Sequence, residues 1–185
     1  MTDAAPGAVV FTDIVGFTEL TDSHGDDLAL SLLERQDREV QRSLPAGARI
    51  VKELGDGLLL WFEQAGEAVT STVGIQRRLR SVRVDGIPLW LRVGIHWGHP
   101  RRRGDDLIGR DVNLASRICG LAGPGEVLCS GATVAAAGPL PGVRFEHLGP
   151  VFVRGVADPV PLLRAVTTVP AEVPETGRVR LPTGR

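Results

Sequence analysis

The chain of 185 residues contains no tyrosine, one methionine and two cysteines, Cys119 and Cys129. Two thiols with no CxxC spacing and no neighbouring histidine pair supply neither a disulfide framework nor a zinc site, and both read as small core residues. No apolar run reaches the ~20 residues that cross a bilayer. The opening Met-Thr-Asp-Ala-Ala-Pro has no basic segment followed by an apolar stretch. With 21 Lys and Arg against 22 Asp and Glu, the formal charge is −1, which leaves no cationic excess for a general nucleic-acid or anionic-membrane binder. The expectation is a cytoplasmic protein with neither nucleic acid nor membrane among its partners. Two further scarcities are more pointed. Lys52 is the only lysine and Asn113 the only asparagine. In a chain that writes its other cations as arginine, each of these two invites a specific chemical reason.

What is present alternates between strand and helix periodicity, the pattern of a mixed α/β domain. Ala8 to Thr12 reads as a buried strand closing at Asp13, and a short helix over 17–22 follows a Gly16 turn. Asp26 to about Leu44 fits an amphipathic helix stopped by Pro45 and Gly47. Arg49 to Leu54 and Leu58 to Phe62 form a hairpin around Gly55-Asp56-Gly57. Ala65 to about Arg83 is a second long helix, Pro88 to His96 a strand, Gly98 to Asp106 an extended turn-back, and Asp111 to Leu121 a third helix. Apolar runs at 126–129, 143–148, 150–154 and 159–166 suggest small strands near the end. One domain over 1–166 is expected, with 167–185 a flexible Pro- and Arg-containing tail or linker stub.

Three segments carry chemistry. In Phe11-Thr-Asp-Ile-Val-Gly-Phe-Thr18, a carboxylate at the end of a buried strand meets a glycine turn into a helix. Asp13 there either caps the helix or holds a divalent cation beside amides that bind phosphate. In Lys52-Glu-Leu-Gly-Asp-Gly-Leu58, Asp56 is either ordinary turn chemistry or a second carboxylate completing a two-cation site with Asp13. In Asp106-Leu-Ile-Gly-Arg-Asp-Val-Asn-Leu-Ala-Ser-Arg117, Asn113 and Arg117 lie four apart, so a helix presents both to one ligand. An asparagine in mid-helix is mildly unfavourable, which argues for a polar duty.

Together with Gly94-Ile-His96, these strings resemble the class III nucleotidyl cyclase catalytic domain, the family of adenylate and guanylate cyclases, from about residue 7 to 166. The resemblance implies a ferredoxin-like or palm-type mixed sheet with helices packed on it. It also implies that Asp13 and Asp56, with the backbone of Ile14, bind two divalent cations per site, Mg²⁺ or Mn²⁺. The backbone of Val15, Gly16, Phe17 and Thr18 would help hold the triphosphate. Lys52 and Asp106 would read the purine, Asn113 would place the ribose, and Arg117 would meet charge on the α-phosphate. A family lysine near the triphosphate aligns with Arg154, where arginine keeps the charge but changes its geometry.

A lysine donor beside an aspartate acceptor suits adenine, which offers an acceptor at N1 and a donor at its 6-amino group. Guanine reverses both and leaves mismatched buried groups. The substrate implied is ATP, and the product cyclic AMP, formed when the 3′ oxygen attacks the α-phosphorus in line and pyrophosphate departs. In this family the site is shared between two subunits, so a homodimer is implied. Two other features read as structural: alternation places His96 and Trp97 on opposite strand faces as packing residues, and Arg101-Arg102-Arg103 reads as a solvated hairpin.

Overall fold

The structure, a computed structural model, describes residues 2–3 and 5–168. In chain order its elements are β1 (Thr2–Asp3), β2 (Gly7–Ile14), α1 (Phe17–His24), α2 (Asp26–Gln41), β3 (Ala48–Leu54), β4 (Gly57–Phe62), α3 (Ala65–Leu79), β5 (Arg83–Val84), β6 (Ile87–Pro88), β7 (Leu91–Gly98), β8 (Arg101–Arg103), β9 (Asp106–Ile108), α4 (Arg110–Leu121), β10 (Val127–Ser130), α5 (Gly131–Ala137), β11 (Val143–Val151) and β12 (Val160–Thr167). Seven strands form one sheet in the order β11-β12-β10-β7-β2-β4-β3. It is mixed: β10 runs parallel to β7, and the other neighbours are antiparallel.

The central strands are apolar on both faces because both faces are covered. On one side Ala8, Val10, Leu58, Leu60, Phe62, Val93 and Ile95 pack with Leu28, Leu32 and Val40 of α2 and with Val69, Val73 and Ile75 of α3. On the other side Val9 and Leu59 meet Val112 and Ala115 of α4 and Leu107 of β9. A hydrogen bond from Gln36 Nε2 to Thr12 Oγ1 (2.9 Å) satisfies the two buried polar groups where α2 crosses β2. Among the described residues no helix is long and apolar enough to cross a membrane.

Helix α4 sits unusually close to β7. A Cβ built on Gly94 would lie 2.1 Å from the backbone nitrogen of Cys119 and 2.7 Å from the carbonyl oxygen of Ala115. Neither backbone atom can step aside, so Gly94→Ala is expected to cost about 2–3 kcal/mol, read as a lower midpoint in urea unfolding. An unchanged midpoint would mean that α4 is free to move off the sheet.

Most expected elements are present with shifted ends. Helix α2 stops at Gln41 and α3 at Leu79, short of Leu44 and Arg83. Strand β7 begins at Leu91 rather than Pro88, because Ile87-Pro88 belongs to a small hairpin with Arg83-Val84. The runs at 143–148 and 150–154 are not two strands: β11 continues through Pro150 to Val151, with a register shift between His147 and Gly149. As the edge strand of the sheet it tolerates that proline. Helix α5 was not foreseen; its Ser130 cap accepts from Thr133 N. Strand β12 ends at Thr167, one residue past the expected boundary, and 169–185 lie outside the described residues.

Candidate active site

The three chemical segments converge on the α4 side of the sheet. Val9 and Phe11 pack on that side, and the two-residue repeat of β2 places Asp13 there as well. Lys52 pairs in register with Leu59, another residue of that layer. Asp106, Asn113 and Arg117 come from β9 and α4, the elements that cover it.

Asp13 is the penultimate residue of β2 and Asp56 occupies the turn between β3 and β4, where its carbonyl oxygen accepts from Ile14 N at 3.3 Å. The expected hairpin therefore brings the Asp56 turn beside the end of β2 that carries Asp13. Burial, and then repulsion from Asp13, raise the Asp56 carboxyl pKa above its ordinary value. Two hard oxygen donors under mutual repulsion make a donor set suited to Mg²⁺ or Mn²⁺. Among the described residues no cluster of three or more His, Cys, Asp or Glu side chains is placed to hold a metal. The pair thus fits an ion whose remaining ligands come from backbone, substrate phosphates or water.

After Asp13 the chain turns sharply. Val15 N donates to Trp90 O at 2.9 Å, and Gly16 takes a left-handed φ of 71° before α1 begins at Phe17. That conformation is open to glycine at little cost. No side chain caps α1, so its first amides keep their donor capacity next to the carboxylates.

Lys52 and Asp106, far apart in sequence, meet directly. Lys52 Nζ donates to Asp106 Oδ2 at 2.7 Å, and Leu107 N donates to Oδ1 at 2.7 Å. The lysine hydrogen bond is the main reason the Asp106 carboxyl is held below its ordinary pKa. Both side chains are a little over one-third exposed, at 38% and 37%, so the pair can address a ligand. Asn113 is exposed on α4 and Arg117 is half-buried one turn further on. The Arg117 guanidinium leans on the turn at Gly155, next to exposed Arg154.

Arg92 was missed from sequence. It stands directly opposite Asp13 in the β2–β7 register, and its Nε donates to Asp13 Oδ2 at 2.5 Å. Only the strand alignment could have revealed it. The reading of His96 as packing is refined by a carboxylate that sequence spacing did not show. His96 Nδ1 lies 2.9 Å from Ser130 Oγ, and Nε2 is 3.6 Å from Asp111 Oδ1. Burial lowers the His96 pKa, against the opposing pull of Asp111. Trp97 packs on the other face, as alternation required. Both cysteines are buried, and burial pushes the Cys129 thiol pKa up to about 12. A cleft of about 690 Å³ lined by Pro6, Arg49, Trp61, Glu63, Arg102 and Leu107 lies at the opposite end of β3 and β4 from Asp56 and contains none of the site residues.

Residues 3–166 match the adenylate and guanylate cyclase catalytic domain family. An adenylate cyclase of Streptomyces griseus is 35% identical over 133 residues, covering 71% of this chain and 32% of that protein. The pH-sensitive adenylate cyclase MT1302 of Mycobacterium tuberculosis is 30% identical over 167 residues, covering 86% of this chain and 41% of that one. The chain thus spans about a third of the length of the curated relatives it matches. Among solved structures, the adenylyl cyclase CyaB from P. aeruginosa superposes with a TM-score of 0.76 at 25% identity, over 92% of this chain and 99% of that one.

Proposed function

Because the chain belongs to the adenylate and guanylate cyclase catalytic domain family, we propose that it is an adenylate cyclase, converting ATP to 3′,5′-cyclic AMP and pyrophosphate at sites shared between two copies. The observation that carries the choice of ATP is the Lys52–Asp106 pair at 2.7 Å. Their mutual bond does not exhaust either side chain. An ammonium has three donors and each carboxylate oxygen two lone pairs, so Lys52 can still donate to adenine N1 and Asp106 still accept from the 6-amino group. Guanine would place a donor against the lysine and an acceptor against the carboxylate.

Asp13 and Asp56, with the backbone of Ile14, would hold two divalent cations, Mg²⁺ or Mn²⁺, whose chemistry is to acidify the ribose 3′ hydroxyl and neutralise the triphosphate. The amides of Gly16, Phe17 and Thr18 and the Arg154 guanidinium take phosphate oxygens, whereas Val15, also expected there from sequence, has its N–H committed to Trp90 O; Asn113 orients the ribose so that its 3′ oxygen lies in line with the α-phosphorus. The new 3′ O–P bond forms as the bond to the β-phosphate breaks. The hydroxyl proton passes to water or to phosphate oxygen. Arg117 meets charge that grows only in the transition state, so its contribution falls on turnover rather than on binding.

Purified protein given Mn²⁺ and ATP is expected to release cyclic AMP and pyrophosphate in equal amounts. Nucleotide binding without product would make the chain a regulatory module of this fold, and product from GTP alone would overturn the base assignment.

A further inference from the structure

The salt bridge between Arg92 and Asp13 places a permanent cation against a carboxylate that the proposed function gives to a metal. The two residues are register partners on neighbouring strands, so their backbones face each other by construction of the sheet. The base of Arg92 is also held by the covering helix, where Cys119 Sγ of α4 lies 3.5 Å from its carbonyl oxygen. The close packing at Gly94 fixes the strand two residues on. The side chain is less confined. Arg92 is 39% exposed and Asp13 24%, which leaves the guanidinium room to swing toward solvent without unfolding anything.

The contact engages only one carboxylate oxygen, Oδ2. The other, Oδ1, points toward Gly57, 3.7 Å from where a Cβ on that residue would sit, and so toward the turn that carries Asp56. One oxygen of Asp13 is thereby tied to a cation built into the sheet, and the other lies beside Gly57, the residue after Asp56. A divalent ion that draws on Asp13 must either share it with a guanidinium a few ångströms away or displace that group.

We propose that Arg92 competes with a divalent cation for Asp13 and so sets how tightly that cation is held. Arg92 is a positioning residue on this reading: it touches the metal-binding carboxylate and neither the nucleotide nor the reacting atoms. The inference rests on Asp13 and Asp56 being the cation site. Removing the charge while keeping length and polarity, as in Arg92→Gln, takes away both the competitor and its repulsion. Mn²⁺ should then bind about tenfold more tightly, the size expected of one unit charge acting on a divalent ion over several ångströms of water-like dielectric. Arg92→Lys keeps the charge and should stay close to the wild-type value.

The test is Mn²⁺ titrated into the 185-residue chain, followed by the electron paramagnetic resonance signal of free Mn²⁺, for wild type, Arg92→Gln, Arg92→Lys and Asp13→Asn. The expected order of affinity is Arg92→Gln above wild type and Arg92→Lys, with Asp13→Asn lowest. If wild type and Arg92→Gln bind equally, or the glutamine variant binds more weakly, Arg92 does not compete and the proposal fails alone. If Asp13→Asn binds as wild type does, the cation site itself is misassigned and the proposal falls with it.

Discussion

Mixing an Asp56→Ala chain with an Asn113→Ala chain is expected to restore about one quarter of wild-type cyclase activity, although each variant alone loses about 100-fold or more. The fraction follows from symmetry. If each site takes its metal carboxylates from one copy and its ribose and phosphate contacts from the other, an Asp56→Ala/Asn113→Ala pair contains one site with both lesions and one with neither. Random exchange makes half of all dimers mixed, and half the sites of those dimers intact. Neither substitution removes a core side chain, since Asp56 lies in a turn and Asn113 on an exposed helix face, so both variants should fold. No recovery in the mixture, under conditions where subunits exchange, would mean that the site is contained in a single chain.

The second large effect concerns the base. Lys52→Glu combined with Asp106→Ser reverses the donor and acceptor pattern and should lower kcat/KM for ATP by about 100- to 1000-fold while raising it for GTP. The double change is the cleaner test. Lys52→Glu alone would set a second carboxylate against Asp106, which now accepts the lysine at 2.7 Å, and would mix repulsion with altered recognition. If the double variant keeps its preference for ATP, these residues do not read the purine.

Local signals made much of this site legible. Asp56 lies in a hairpin turn because Gly-Asp-Gly between two apolar runs leaves the backbone little alternative. Asn113 and Arg117 share one side of α4 because their spacing is four. The pairing of Lys52 with Asp106 could be named only through the family resemblance, since nothing local ties β3 to β9; the fold brings them to 2.7 Å. Arg92 shows where such reading stops. Its role depends on the register of β2 against β7, a non-local property, and among twenty arginines it carries no mark of its own. The contact of His96 with Asp111 is hidden for the same reason. Helix α5 escaped because Gly-Ala-Thr-Val-Ala-Ala-Ala has almost no polar face to reveal a period. Pro150 looked like a break between two strands because a proline is expected to end pairing, yet at the sheet edge β11 carries it through.

The scarcity of lysine and asparagine acquires physical content from the geometry. Lys52 is a compact ammonium held by Asp106 and still able to donate. An arginine there would present a planar fork too broad for the same two contacts. Asn113 is exposed on α4, where packing gives no reason for an amide and the proposed ribose contact would.

The most direct measurement is a competition in one tube: purified protein, Mn²⁺, and equal concentrations of ATP and GTP, with cyclic nucleotides and pyrophosphate quantified together. Cyclic AMP should predominate, matched one for one by pyrophosphate, and the product should vanish in Asp13→Asn. Cyclic GMP as the main product, or pyrophosphate released without a cyclic nucleotide, would contradict an adenylate cyclase built on Lys52, Asp106 and the Asp13–Asp56 pair.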